Sequence, residues 1–191
     1  MTATAGITFI LKKAAIMSLF YSIILIALYI ILRFDIRFAP GATLAMVHDI
    51  TIATGFYLVT GTEFTITAIA ALLTIAGWSV NDTIVVYDRV RDMLKKGGDG
   101  MPLPKLINKA VNATLSRTLN TSLLTFLSIL PVVLFCGGEL RSFGIAMCFG
   151  IVVGTYSTVY IAAPLTIYVD QFIDKRNRNR NTKIKTKPAT A

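Results

Sequence analysis

The sequence predicts an all-α fold, a polytopic membrane bundle of about five transmembrane helices. Of its 191 residues, 54% are hydrophobic and only 15% are charged, which leaves too few polar side chains to cover a soluble globule of this size. The apolar residues form long continuous runs near the ~20 residues that cross a hydrocarbon core as a helix. The strands of a membrane barrel would instead be short and alternating, so a barrel is excluded.

The runs predict five spans, here called A to E in chain order, over residues 14–32, 43–59, 64–87, 118–135 and 143–169. They divide the chain into an N-terminal extracytoplasmic stub (1–13), a transmembrane bundle (14–169) with a cytoplasmic loop (88–117), and a basic cytoplasmic tail (170–191). Within the loop, "PLPKLINKAVNATL" predicts a short amphipathic helix that lies in the headgroup region before span D. The tail is polar and basic, which predicts disorder.

Basic residues set the predicted orientation, because lysine and arginine in short loops are retained on the cytoplasmic side. Of the 19 lysines and arginines, 16 lie in the A–B connection, the C–D connection and the tail. The C-terminus is therefore predicted in the cytoplasm and the N-terminus outside. No signal peptide accounts for an external start, so we expect a further N-terminal portion upstream of Met1.

Asp82, in the segment "GWSVNDTIVVYDRVRD", is the strongest candidate for a functional residue. A carboxylate at the centre of a spanning helix costs about 2.5 to 3.5 kcal/mol, and span C places Asp82 roughly 9 to 10 Å inside the membrane boundary. Such a group can hold a proton in one conformation and release it in another. The alternative is that Asp82 is hydrogen-bonded to Ser79 or Asn81 and only joins helices.

Arg117 is the natural cation for this carboxylate, because it opens span D and remains charged at every pH that proteins meet. The predicted spans place Arg117 closer to the membrane surface than Asp82, so a direct pair is a hypothesis. An interfacial arginine that extends toward headgroups is the alternative. The segment after it is rich in polar side chains that we expect to line a wet path to Asp82: Thr118, Asn120, Thr121, Ser122 and Thr125.

Two further polar pairs flank the spans on the predicted cytoplasmic side. His48 and Asp49 have no additional ligands at helical spacing, so they do not predict a metal site. They are interpreted either as partners of charges in the cytoplasmic loops or as groups with a proton or gating role. Asp88 and Arg89 mark the end of span C and predict an interfacial lock to Arg91 or the A–B connection. No cofactor or metal is predicted.

The chain resembles the C-terminal membrane portion of the SecF family of protein-export membrane proteins, a family of the resistance-nodulation-division type. The resemblance rests on six segments between residues 33 and 165: "RFD", "GATLAMVHD", "EFTITAIAALLTIAGWSVNDTIVVYDRVRD", "NATLSRTLNTSLLTFL", "FCGG" and "GTYSTVYIAAPL". It implies that Asp82 and Arg117 take part in proton-coupled movement. The family's first span and large extracytoplasmic domain have no counterpart here, so the chain would supply only the membrane part of the motor.

The resemblance also implies partners and a location. The partners are SecD and the SecYEG channel, with YajC and YidC as further candidates, together with the translocating preprotein and membrane lipids but no specific nucleic acid. The location is the bacterial cytoplasmic (inner) membrane.

The predicted function is a non-enzymatic subunit of the Sec machinery that uses the proton-motive force with SecD to promote preprotein translocation through SecYEG. A proton-coupled small-molecule transporter fragment of the same fold and a non-transporting assembly subunit are the alternatives.

Overall fold

The computed structural model describes residues 2–34, 38–96 and 101–185, with side chains described over 13–34, 38–96, 101–173 and 175. These residues form helices throughout and contain no strand, which confirms the all-α prediction. The helices are α1 (Thr2–Arg33), α2 (Ala39–Thr60), α3 (Ile66–Lys95), α4 (Leu103–Phe135), α5 (Gly138–Ser157) and α6 (Ala163–Lys185), with a π-helical turn (Thr158–Ala162) joining the last two.

Five helical segments of the described chain are long and apolar enough to cross a membrane, as predicted: Lys13–Arg33, Ala39–Thr60, Ile66–Lys95, Leu103–Phe135 and Gly138–Ile173. The last is α5, the π-helical turn and the start of α6 in one continuous rod. Pro164 lies two residues after the end of the π-helical turn. Because proline lacks the N–H that an α-helix requires and its ring crowds the preceding turn, the widened turn has a clear local cause.

The segment 88–117, predicted as a cytoplasmic loop that contains one short helix, is helical over most of its length, because α3 continues to Lys95 and α4 begins at Leu103. The predicted amphipathic segment does not lie flat before span D but is the first half of α4. Its apolar face, with Leu106, Ile107, Ala110 and Val111, is buried in a cluster with residues of α3 such as Val90. The apolar face of this segment is therefore covered by α3 rather than by headgroups.

Both predicted terminal segments also differ from the structure. Helix α1 runs without a break from Thr2, so residues 2–13 are part of the first helix rather than a separate stub. Helix α6 continues to Lys185 through the part of the tail for which disorder is predicted. No glycine or proline lies between Pro164 and Pro188, so the sequence contains no helix breaker there. Residues 186–191 lie outside the described residues.

Helix α3 is central and packs against α1, α2, α4 and α5. We call the end with the α2–α3 and α4–α5 connections the turn end, and the opposite end the basic end. The core has one apolar cluster near each end. The basic-end cluster includes Phe34, Phe38 and Val90, and the turn-end cluster includes Leu72 and Met147.

Small residues let these helices approach closely. An alanine methyl at Gly150 of α5 would overlap the Ile75 side chain of α3, and one at Gly154 would lie 3.4 Å from Ser79 Cβ. Helices α3 and α5 therefore meet along a glycine-lined seam, and the buried polar residues lie beside it.

Candidate functional site

Buried polar side chains gather in a layer between the two apolar clusters. Each is at most 7% exposed, and they come from the second to the fifth span. They are Asp49 of α2, Ser79, Asp82 and Thr83 of α3, Thr118 and Ser122 of α4, and Ser157 of α5 with Thr158 of the π-helical turn. Polar groups at this depth are expensive in a bilayer and normally face protein or water. The layer is therefore the candidate functional site.

Helix α3 places Asp82 in this layer through its periodicity. Leu72, Ile75, Ser79, Asp82 and Val86 are all buried and recur at intervals of three and four residues, which is the spacing of one helical face. Asp82 is 3% exposed. Its Oδ2 atom is buried and has no hydrogen-bond partner among the described residues. An unpaired oxygen on a buried carboxyl group is a natural position for a proton.

Helix α4 supplies the neighbours of Asp82. Ser122 lies beside the carboxyl group, and Arg117 acts on it through its charge. The Ser122 hydroxyl shares a hydrogen bond of 2.7 Å with Thr155 Oγ1 of α5. On the other side of Asp82, Thr83 Oγ1 and Thr158 Oγ1 lie 3.5 Å apart and link α3 to the π-helical turn. Asp82 therefore sits where hydroxyl contacts connect three spans.

Arg117 and Asp82 lie on facing helices but do not touch. No ion pair of 4.0 Å or less joins them among the described side chains. Arg117 precedes Ser122 by five residues, or about 7.5 Å along the helix, and is exposed at the surface of the bundle. Direct pairing is thus not seen in this conformation, although Arg117 is close enough for its charge to act on the Asp82 carboxyl group.

Asp49 is more deeply buried than the sequence indicates, with an exposed fraction of 0%. Its Oδ1 atom lies 2.9 Å from His48 Nδ1, and its Oδ2 atom accepts a hydrogen bond from the Ser79 hydroxyl. In the described part of the chain, Asp49 contacts His48 and Ser79 within the spans rather than charges of the cytoplasmic connections. Ser79, which the helix-joining alternative pairs with Asp82, binds Asp49 instead. The signal for this burial is the small residues Ala45 and Ala53, which lie one turn before and after Asp49.

Four of the other predicted polar residues do not reach the layer. Asn81 is exposed on the outer face of α3, and Asn120 is exposed on α4. The Thr125 hydroxyl donates to the Thr121 carbonyl oxygen at 2.9 Å. The Thr121 hydroxyl donates to the carbonyl oxygens of Arg117 at 3.1 Å and Thr118 at 3.0 Å, so it satisfies its own helix rather than a path to Asp82.

The residues predicted as an interfacial lock lie at the basic end of the bundle. Arg33 Nη2 donates to Asp88 Oδ1 at 3.4 Å, which ties the end of α1 to α3. Arg91 Nη1 donates to the Arg33 carbonyl oxygen at 3.3 Å. Arg89 instead pairs along its own helix with Asp92 at 3.8 Å. Asp88 therefore joins two spans, whereas Arg89 does not.

Comparison with known proteins gives a consistent family. Residues 5–171 match the family described as "Protein export membrane protein SecD/SecF, C-terminal". The chain is 43% identical over 167 residues to protein translocase subunit SecF of Calditerrivibrio nitroreducens, covering 87% of this chain and 55% of that protein. It is 44% identical over 157 residues to protein translocase subunit SecDF of Brucella abortus, covering 82% of this chain and 21% of that protein.

A solved structure shares the fold. The crystal structure of SecDF, a translocon-associated membrane protein from Thermus thermophilus, superposes with a TM-score of 0.80 at 43% identity, over 84% of this chain and 22% of that chain. The chain spans about half the length of the SecF relative from Calditerrivibrio nitroreducens.

Proposed function

Because the chain belongs to the SecD/SecF family of protein-export membrane proteins, we propose that it is a membrane subunit of the Sec export machinery. In this role it uses the proton-motive force, together with SecD, to promote preprotein translocation through SecYEG. The observation that carries the proposal is Asp82, a buried carboxyl group with one unpaired oxygen at the centre of the bundle. The relatives reported above are named as translocase subunits rather than as enzymes.

In the proposed cycle, Asp82 alternates between a charged and a protonated state. The charged carboxylate is attracted toward Arg117 on α4, and a proton on Asp82 removes that attraction. The hydroxyl contact between Ser122 and Thr155 transmits a change at α4 to α5. Each proton that crosses with the membrane potential supplies about 2.3 kcal/mol per 100 mV, which is enough to shift a two-state helix arrangement.

We propose that the turn end faces outward and the basic end faces the cytoplasm of a bacterium, with the chain in the cytoplasmic membrane and its C-terminus inside. The distribution of lysine and arginine supports this orientation. A proton from the turn end must then pass the apolar cluster that includes Tyr57, Leu72, Ile75 and Met147. This cluster is continuous in the present conformation, so proton entry requires the helices around it to separate.

SecD is the proposed direct partner, and relatives named SecDF support this. The exposed face of α3 suits such a contact, because Ala70, Thr74, Gly77 and Asn81 recur along it and are small or polar at membrane depth. Lipid chains make no specific favourable contacts with such a face, whereas another helix can pack closely against it. SecYEG, YajC, YidC and the translocating preprotein are the further proposed partners.

A small-molecule transporter fragment is not favoured, because the relatives are named as protein translocase subunits. An experiment distinguishes the proposed function from that of a non-transporting assembly subunit. Vesicles that carry complete SecD and SecF partners are tested for export stimulated by a proton gradient, with this chain as wild type, Asp82→Asn or Asp92→Asn. Asp92 is a matched control, because it is half exposed and pairs with Lys96 at 3.3 Å.

We expect Asp82→Asn to abolish the stimulation while the chain remains folded and bound to its partner, since asparagine keeps the size and hydrogen bonding of the side chain but carries no titratable proton. Asp92→Asn should respond as wild type does. A normal response of Asp82→Asn to the gradient would show that Asp82 only joins helices.

A further inference from the structure

A small polar pocket lies at the turn end of the bundle, separated from the Asp82 layer by the turn-end apolar cluster. Its volume is about 270 Å³. The end of α2, the α2–α3 connection and the starts of α3 and α5 line it. All but one of the lining residues carry a polar side chain: Tyr57, Thr62, Glu63, Thr65, Thr67, Gly138, Glu139 and Ser142. Such a concentration of oxygen atoms suits a ligand that donates hydrogen bonds.

The pocket contains both glutamates of the sequence, Glu63 and Glu139. Glu139 Oε2 accepts a hydrogen bond of 3.1 Å from Thr67 Oγ1, which ties the start of α5 to the start of α3. Among the described side chains, no lysine, arginine or histidine lines the pocket, and Arg141 in the same turn as Glu139 is not among the lining residues. The two carboxylates therefore have no basic counterpart in the pocket wall.

Tyr57 gives independent evidence that something binds in the pocket. It lines the pocket but is only 2% exposed, and its Oη atom is buried with no hydrogen-bond partner in the described part of the chain. Edge-to-face packing on Phe64, with ring centroids 5.8 Å apart, fixes the ring. A buried hydroxyl without a partner costs about 1 to 3 kcal/mol, so a ligand that pairs with it is favoured.

The charge of the ligand follows from the helices that begin at the pocket. Helix α3 starts at Ile66 and α5 at Gly138, and neither N-terminus is capped by a side chain. Each free N-terminus contributes about half a positive charge. Two carboxylates and two helix N-termini therefore leave about one net negative charge, which a singly charged cation neutralises.

The size and donors of the pocket define the cation further. Its volume of about 270 Å³ equals that of roughly nine water molecules, which is too large to enclose a bare ion. No group of three or more metal-ligating histidine, cysteine or acidic side chains occurs in the described chain. A guanidinium group fits better, because it is permanently charged and presents five N–H donors in a planar fork that matches carboxylates.

We infer that this pocket binds the guanidinium group of an arginine side chain that a polypeptide presents at the turn end of the bundle. One arm of the fork reaches Glu139, another reaches Glu63, and the remaining donors meet the hydroxyl groups, including Tyr57 Oη. Binding requires no proton on Asp82, so the site functions whether or not the chain couples export to a proton gradient.

The test measures the thermal unfolding of the purified full chain in detergent micelles as a function of ligand concentration. The probe is Nα-acetyl-arginine amide, which copies an arginine side chain within a polypeptide. Nα-acetyl-citrulline amide, free arginine, sodium chloride and calcium chloride at matched ionic strength are the comparisons. We expect saturable stabilisation by the capped arginine and none by the neutral citrulline analogue.

Variants locate the site. Glu139→Gln should raise the Kd by about tenfold or more, because it removes a charge-assisted hydrogen bond. Tyr57→Phe should raise the Kd by about threefold or more and leave the fold intact, since the lost hydroxyl has no hydrogen-bond partner among the described residues. Asp92→Asn, at the basic end, should leave the Kd unchanged.

Three outcomes would overturn the inference. Absence of saturable stabilisation, or equal stabilisation by citrulline, would mean that the glutamates only stabilise the starts of α3 and α5. Stronger stabilisation by either salt would identify a metal-ion site. Tenfold tighter binding of free arginine than of the capped form would identify an amino-acid site rather than a polypeptide site.

Discussion

Gly41 allows α2 to approach two other spans at the basic end of the bundle. The Tyr87 hydroxyl of α3 and Thr166 Oγ1 of α6 share a hydrogen bond of 2.7 Å, and Tyr87 also donates to the Ala162 carbonyl oxygen at 3.4 Å. A methyl group at Gly41 would overlap Thr166 Oγ1 and lie 2.9 Å from Tyr87 Oη and 3.1 Å from the Ala162 carbonyl oxygen. Gly41→Ala therefore forces α2 away from α3 and α6.

These contacts determine how much stability the Gly41→Ala variant should lose. Thr166 is 0% exposed and Tyr87 is 1% exposed, so neither side chain has free space to move into. Overpacking of this kind costs about 1 to 3 kcal/mol, and breaking the Tyr87–Thr166 hydrogen bond costs about 1 kcal/mol more. We expect Gly41→Ala to lower the free energy of unfolding by about 2 to 4 kcal/mol relative to a matched alanine substitution.

Gly55→Ala is that matched substitution, because Gly55 lies in the same helix and an added methyl group would meet nothing within 4 Å. Both variants gain the same helix propensity, so their difference isolates the clash. The measurement is reversible unfolding in mixed micelles, followed by the fluorescence of the single tryptophan, Trp78. Removing the clashing oxygen in a Gly41→Ala/Thr166→Ala double variant should restore part of the loss. Equal stability of Gly41→Ala and Gly55→Ala would refute this packing.

Three further predictions concern orientation, charge and the second buried carboxyl group. With both native cysteines replaced, single cysteines at Thr62 and Lys96 should be labelled from opposite sides of the membrane, and labelling from one side would contradict the proposed topology. Arg117→Lys should retain part of the gradient-stimulated export while Arg117→Leu loses it, and equal activity of the two would favour an anchoring arginine. Asp49→Ala should destabilise the chain by about 1 to 3 kcal/mol because Ser79 loses its partner. Asp49→Asn should be milder in the same unfolding assay, and the reverse order would exclude this hydrogen bond as the cause.

The spans and the position of Asp82 follow from the sequence because local pattern determines both. A continuous apolar run has one stable arrangement in a bilayer, and five such runs give five helices. Asp82 shares the three- and four-residue spacing of Leu72, Ile75 and Ser79. The sequence alone therefore identifies the helix face that carries it, without knowledge of the neighbouring helices.

Contacts between helices were not predictable in the same way. The burial of Asp49 depends on Ser79, thirty residues later, lying opposite it. The continuity of α4 depends on α3 covering the apolar face of Leu106 and Val111, which an isolated segment would offer equally well to headgroups. The separation of Arg117 from Asp82 depends on the position of α4 along the axis of α3. Each of these requires the relative placement of two helices, which no single span encodes.

Asp82 is the proposed proton carrier, and its carboxyl group can be observed directly. Infrared difference spectra of the membrane-embedded complex, recorded as the pH is changed, report the carbonyl stretch of a protonated carboxyl group. We expect a band that is present in wild type, absent in Asp82→Asn and retained in Asp49→Asn, the variant of a second buried carboxyl group in the spans. A band that persists in Asp82→Asn, or that disappears only in Asp49→Asn, would contradict it.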